Sequence, residues 1–166
     1  CALPIFADTP TQWARFKTGS KINIYTAKLP TTDANLFGRD RELTALENAW
    51  ADSQTNMVNL VAWGGVGKTA LVNSWLNRMS QDQYRGALRV YGWSFYSQGT
   101  SEDGQASADT FLEATMKWFG DNNPQQHASA WDKGIALAER VAQQPTLLIL
   151  DGLEPLQYPP GPMHGQ

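Results

Sequence analysis

"VAWGGVGKTALV", residues 61–72, sets three glycines, a lysine and a threonine between two apolar runs. Glycine loses more backbone freedom on folding than any other residue and has no side chain to pack, so a cluster of it needs a local reason. The flanks supply the context. "MVNLVAW" (57–63) is short, apolar and β-branched in part, and it predicts a buried strand. From Lys68 onward the apolar positions 71, 72, 75, 76 and 79 form the stripe of a helix. The glycines therefore lie in a turn that leads from a strand into a helix.

A turn of this kind suits an anion. Without Cβ atoms at Gly64, Gly65 and Gly67, successive backbone N–H groups can point inward and form a nest for phosphate oxygens. The positive end of the helix dipole adds to the attraction. Lys68 is placed to reach the β- and γ-phosphates of a nucleotide, and the Thr69 hydroxyl can ligate Mg²⁺. The sequence "GGVGKT" in strand–turn–helix context is the phosphate-binding P-loop pattern, with Ala62 where that pattern begins with glycine. A glycine-rich turn that binds nothing is the bland alternative.

The rest of the chain alternates in the same way. "FGRDRELTALENAW" (37–50) puts Leu43, Leu46 and Trp50 on one helical face, with Asp40 and Glu42 at the positive end of its dipole. "ALRVYGWSFY" (87–96) reads as a second strand. Positions 111, 112, 115, 116 and 119 mark a helix that Gly120 can end. A further helix over about 131–143 uses Trp131, Ile135, Ala138, Val141 and Ala142. "TLLIL" (146–150) is an unbroken apolar run, as expected for a strand covered on both faces. The alternation predicts an α/β fold, a parallel sheet with helices on both faces. Residues 1–35, with prolines at 4, 10 and 30 and no sustained period, read as a linker or lead-in.

Composition narrows the function classes. Hydrophobic residues make up 42% and charged residues 17% of 166, a globular mixture. The net charge of −3 gives no basic surplus for a nucleic-acid backbone. Cys1 is the only cysteine, so no internal disulfide and no zinc–thiolate cluster can form. No apolar run approaches the roughly 20 residues of a membrane span. These features point to a cytoplasmic protein that contacts neither nucleic acid nor membrane. The seven tryptophans read as core and subsurface packing. The start without Met and the unclosed end "YPPGPMHGQ" read as a piece of something longer.

Asp151 follows the last apolar run and so emerges at the C-terminal end of a buried strand, where ligands sit in open α/β sheets. Beside a phosphate nest, an acid there can hold the shell of a Mg²⁺ ion, making Thr69 and Asp151 the candidate metal residues. Glu154, three residues on, is placed to orient or deprotonate an attacking water. Taken singly, Asp151 could equally be a turn former or cap.

With these motifs and "LFGRDREL" (36–43), the chain resembles the STAND class of P-loop NTPases, related to the NB-ARC and NACHT modules. The resemblance covers roughly residues 36–157. It implies a three-layer P-loop NTPase domain over 36–166, truncated after the strand that carries Asp151, with the first strand, "MVNLVAW", left at a sheet edge. The implied sheet order is second strand, third strand, first strand. The resemblance implies ATP or ADP binding by Phe37, Gly38 and Arg39, whose backbone contacts the adenine, and by Gly64, Gly65, Val66, Gly67, Lys68, Thr69 and Ala70. It implies Mg²⁺, with Asp151 and Glu154 as catalytic acids and slow hydrolysis that resets a signalling switch. Pro155 stands where NACHT-type members often carry another acid. "WSFYSQGT" (93–100) resembles the segment that passes near the phosphates in NB-ARC proteins, and packing is the equal alternative for its aromatics. The partners implied are the nucleotide, further copies of a longer parent, C-terminal sensor repeats and an effector domain. A non-hydrolysing nucleotide-binding scaffold and a protein-interaction module are the rival readings.

Overall fold

Two fully buried strands, apolar except near their ends, form the centre of the molecule. In the computed structural model, which describes residues 5–6, 21–32, 36–96 and 108–157, β4 (Arg89–Ser94) and β5 (Thr146–Asp151) are buried at every position. They pair in parallel, from Arg89 opposite Thr146 to Ser94 opposite Asp151. A buried parallel strand has no solvent face, which is why its sequence does not alternate. β2 (Asn23–Tyr25) adds a third parallel strand on the far side of β4.

Helices cover both faces. α1 (Asp40–Ala51) and α2 (Lys68–Gln81) bury Leu43, Leu46, Leu71, Val72, Trp75, Leu76 and Met79 against Val90, Leu147 and Ile149. α3 (Ala108–Trp118) and α4 (Ala130–Val141) bury Phe111, Met116 and Leu137 against the alternate strand residues Tyr91, Trp93, Leu148 and Leu150. The period-2 alternation of strand side chains thus divides one apolar sequence between two cores. The chain is α/β, with helices on both faces of a sheet in which β2, β4 and β5 run parallel.

The segments flanking this centre depart from expectation. The stretch read as a lead-in contributes to the sheet: besides β2, the two-residue β1 (Ile5–Phe6) pairs antiparallel with β5. Residues 21–32 also dock on the centre. Tyr25 stacks on Tyr91 at 5.3 Å, Leu29 packs on the α1/α2 core, and the Asn73 amide donates to the Pro30 carbonyl at 2.8 Å. Their short polar stretches hide the pairing, because a strand of two or three residues carries no readable period.

The first expected strand shrinks to β3 (Met57–Val58), and β1 stands between it and β5, so the order is β2-β4-β5-β1-β3. β3 is at the edge, as expected, but it is neither seven residues long nor buried. Met57 is 53% exposed, Val61 76% and Trp63 88%. A strand extends only as far as its partner, and β1 offers two residues.

α4 is rotated from its expected face. Trp131, Ile135, Ala138 and Ala142 are exposed, while Leu137 and Lys133 are buried. On its buried side the Lys133 ammonium bridges Glu113 at 3.0 Å and Asp109 at 3.3 Å on α3, and Leu137 packs in the core. Of the tryptophans, Trp75 and Trp93 are core and Trp50 and Trp118 half-buried, whereas Trp63 and Trp131 face solvent and Trp13 lies outside the described residues. Gly120 ends α3 as expected, with Asp121 N–H reaching back to the Met116 carbonyl at 2.9 Å. A helix stops there because these bonds satisfy its last carbonyls.

Trp75 is the largest fully buried side chain among the described residues and meets Trp50 edge-on at 6.2 Å. Trp75→Ala is expected to cost about 3–5 kcal/mol of unfolding free energy, as large aromatic deletions in cores do. Urea unfolding checks this, and a loss below ~1 kcal/mol would show that the α1/α2 face is not the central core.

Candidate functional site

The site lies where three chain segments converge at the C-terminal ends of the central strands. The first is the turn into α2. Gly65 has φ +77 and Gly67, the residue before the helix, φ +90. Both are left-handed conformations that L side chains resist, which explains the glycines. Ala62 is not among the residues with positive φ, so the alanine there is unstrained. Neither a side-chain cap nor an acid occupies the first turn of α2. Its leading N–H groups are therefore open to an outside acceptor.

Lys68 and Thr69 open the helix and point in different directions. The Lys68 ammonium donates to the carbonyls of Ala62 at 2.8 Å and Trp63 at 3.0 Å, curling over its own loop. The Thr69 hydroxyl turns inward and donates to Asp151 Oδ1 at 3.2 Å, across 82 residues of sequence. Val66 and Ala70 complete the turn, and the Val66 carbonyl accepts from Arg39 Nη2 at 2.8 Å. Arg39 also binds Glu42 at 2.8 Å, so the Phe37–Gly38–Arg39 segment is pinned beside the loop. Phe37 itself is 85% exposed.

Asp151 is the last residue of β5 and is 3% exposed. A carboxylate is costly to bury without donors. Here Thr69 supplies one, and the Ser94 hydroxyl supplies another to Oδ2 at 3.4 Å. Burial nevertheless pushes the Asp151 carboxyl above the ordinary 3.8. The two hydroxyls and Lys68 act to lower it, and the charge of Glu154 acts with burial.

Glu154 opens the short α5 (Glu154–Gln157). Its carboxyl lies below the ordinary value. Burial alone would raise it, but a backbone hydrogen bond, the Tyr96 hydroxyl and the charge of Lys68 outweigh that. Lys68, Asp151 and Glu154 thus feel one another electrostatically.

The structure brings together Lys68, Thr69, Asp151 and Glu154, and places Arg39 against the loop that carries the first two. Two residues of the site were not singled out by their chemistry in the sequence, Ser94 and Tyr96. The signal for Ser94 is register: it ends β4 directly opposite Asp151 on β5. Hard oxygen ligands at Thr69 and Asp151, adjacent and already oriented, fit a Mg²⁺ ion, which takes one or two protein oxygens plus water and phosphate. Among the described residues no group of three or more His, Cys, Asp or Glu could hold a metal by itself. No helix among them is long and apolar enough to cross a membrane. Compared with protein-family models, curated proteins and solved structures, the chain has no significant match in any of the three.

The raised Asp151 carboxyl has a consequence for stability. A folded value above the unfolded one stabilises fully below the unfolded value, and that contribution is lost as pH rises through the folded value. Asp151→Asn removes the loss. At pH 7 the nucleotide-free variant is expected to melt higher than the parent. The gap should narrow as the pH falls and the Asp151 carboxyl takes up its proton. Scanning calorimetry across pH checks this, and a variant that melts lower at pH 7 would contradict the burial cost.

Proposed function

We propose that the chain is the nucleotide-binding part of a STAND-type P-loop NTPase, binding ATP and ADP with Mg²⁺ and hydrolysing ATP slowly as a signalling switch. The observation that carries this is the meeting of Thr69, at the head of a helix entered through left-handed glycines, with a buried acid at the end of the adjacent central strand. A phosphate nest and a metal-holding acid are needed together for triphosphate chemistry, and each makes the other less accidental.

On this reading the amides from Gly64 to Ala70 cradle the phosphates, and Lys68 leaves its own loop carbonyls to bind the β- and γ-phosphates. Thr69 and Asp151 would hold the Mg²⁺, which supplies charge neutralisation at the phosphates. Ser94 and Thr69 orient the Asp151 carboxylate from its two sides. Glu154, ionised at neutral pH, accepts the proton of a water whose oxygen attacks the γ-phosphorus, and ADP leaves with the bridging oxygen. Arg39 holds the segment at Phe37 and Gly38 beside the loop, where it would contact the base. Positioning and charge stabilisation account for most of such catalysis, so slow turnover is in keeping with a switch. The wider assembly follows from the same resemblance: an ADP-bound resting form, an ATP-bound oligomer of the parent and signalling by attached domains.

Three variants test the assignment in one set of titrations. Lys68→Ala removes a charge-assisted contact of about 1.5–3 kcal/mol, so ATP affinity should fall about ten- to hundredfold. Asp151→Ala should abolish the Mg²⁺ dependence of binding. Glu154→Gln should bind ATP as the parent does and turn it over more slowly. Calorimetric titration with and without Mg²⁺, followed by phosphate release, reads all three. Equal ATP affinity in the parent and Lys68→Ala would overturn the phosphate role, and an undiminished rate in Glu154→Gln would leave the non-hydrolysing scaffold as the better reading.

A further inference from the structure

A backbone carbonyl and the N–H that follows it share one rigid plane, and in a trans peptide they point in opposite directions. Whatever grips the carbonyl therefore aims the N–H. In the turn into α2 the peptide joining Val66 to Gly67 is gripped in this way, by Arg39 Nη2, which donates to the Val66 carbonyl at 2.8 Å. The Gly67 N–H must then face away from the guanidinium. It makes no hydrogen bond among the described residues, and it stands one position ahead of α2. Val66 keeps a negative φ between two left-handed glycines, Gly65 and Gly67. Glycine permits such a turn but does not fix it, since it adopts either sign of φ readily. The guanidinium supplies the missing restraint. Its two terminal nitrogens are engaged at once, Nη2 on Val66 and Nη1 on Glu42 Oε1, each at 2.8 Å. Two bonds from one planar fork fix its orientation as well as its place. Glu42 stands on α1, and its neighbour Leu43 is buried in the core. Support thus runs from the core through α1, Glu42 and Arg39 to a single peptide of the turn.

We propose that Arg39 is a positioning residue for the phosphate loop: its side chain fixes the Val66–Gly67 peptide so that the Gly67 N–H is presented to a phosphate oxygen before any ligand arrives. The proposal rests on the nucleotide-binding reading of the site. It gives the Arg39 side chain a task separate from holding the Phe37–Gly38 segment beside a base. The two basic side chains of the loop then divide the work. Lys68 grips the carbonyls of Ala62 and Trp63 and must leave them to reach a phosphate. The bond from Arg39 goes to a carbonyl that faces away from the Gly67 N–H, so it persists when that N–H takes up an anion. A donor aimed in advance spares the ligand the cost of ordering it. What Arg39 serves is a polyphosphate, whatever base is attached to it.

Arg39→Met and Arg39→Lys in the full chain test this, with melting temperature as the control for folding. Methionine keeps the apolar stem, and lysine keeps the charge without the two-pronged plane. In the nucleotide-free labelled protein, the NMR signals of the Val66 carbonyl carbon and the Gly67 amide should shift in both variants. With Mg²⁺, Arg39→Met should bind ATP and inorganic tripolyphosphate more weakly than the parent by the same factor, about two- to tenfold, the worth of one modest hydrogen bond. Arg39→Lys should restore only part of that loss. Glu42→Gln leaves Arg39 in place but loosens its plane, and should weaken both ligands in the same direction by less. A loss confined to ATP would put the action of Arg39 at the base segment and overturn the proposal. Unmoved Val66 and Gly67 signals, or full recovery in Arg39→Lys, would overturn it as well, since charge alone would then account for any loss. Failure of the parent chain to bind either ATP or tripolyphosphate would instead overturn the nucleotide-binding reading itself.

Discussion

The hydrogen bond between Thr69 and Asp151 is the constraint on which the site depends, because it joins the first turn of α2 to the end of the central strand β5. It joins residues 82 apart in sequence, and Ser94 meets the same carboxylate from β4. Asp151 is nearly inaccessible to solvent, and its carboxyl is held above its ordinary range by that burial. A protein that needed only a strand end there would do better with an asparagine. Retaining an acid at a stability cost is the pattern expected of a group kept for its charge. On the proposed reading that charge serves the cation that accompanies a triphosphate.

The fold divides into a firm base and an open rim. β4 and β5 are buried throughout and are clamped between two cores, so Ser94 and Asp151 inherit their positions from a strand register and need no loop to place them. Side chains carried on rigid elements are held more closely than side chains on loops. The rim is different. Residues 61–66 are exposed, and the Lys68 ammonium rests on the carbonyls of Ala62 and Trp63. The Arg39 guanidinium ties this loop to the start of α1 through Val66 and Glu42. The buried acid thus sits on rigid strands, while the loop facing it is exposed and tied to α1 through Arg39.

Much of this was legible in the sequence, and the exceptions have physical causes. The apolar stripe 71, 72, 75, 76 and 79 and the run at 146–150 report long elements with deep burial, so α2 and β5 lie where they read. The left-handed turn announced itself through Gly65 and Gly67. β1 and β2 were invisible because two or three residues show no period, and their stability comes from partners far away in sequence. "MVNLVAW" reads as seven buried residues, yet pairing with a two-residue partner leaves most of it exposed. The face of α4 was misjudged because apolar spacing alone does not register a buried, ion-paired lysine: Lys133 lies on the side turned to α3, while Trp131 and Ile135 are exposed. Tyr96 read as one aromatic among several, since its contact with Gly152, 56 positions away, exists only once the chain is folded.

The central claim is that the turn 64–70 is a phosphate nest completed by Asp151. The most direct measurement is amide NMR of the labelled chain during titration with ATP and Mg²⁺. The account expects the amides of Gly65, Gly67, Lys68 and Thr69 to move most, with Mg²⁺ needed for the full change and Asp151 sensing the same titration point. Amide shifts that leave this turn unmoved at saturating ATP, or that gather instead on the exposed face of α4, would contradict it.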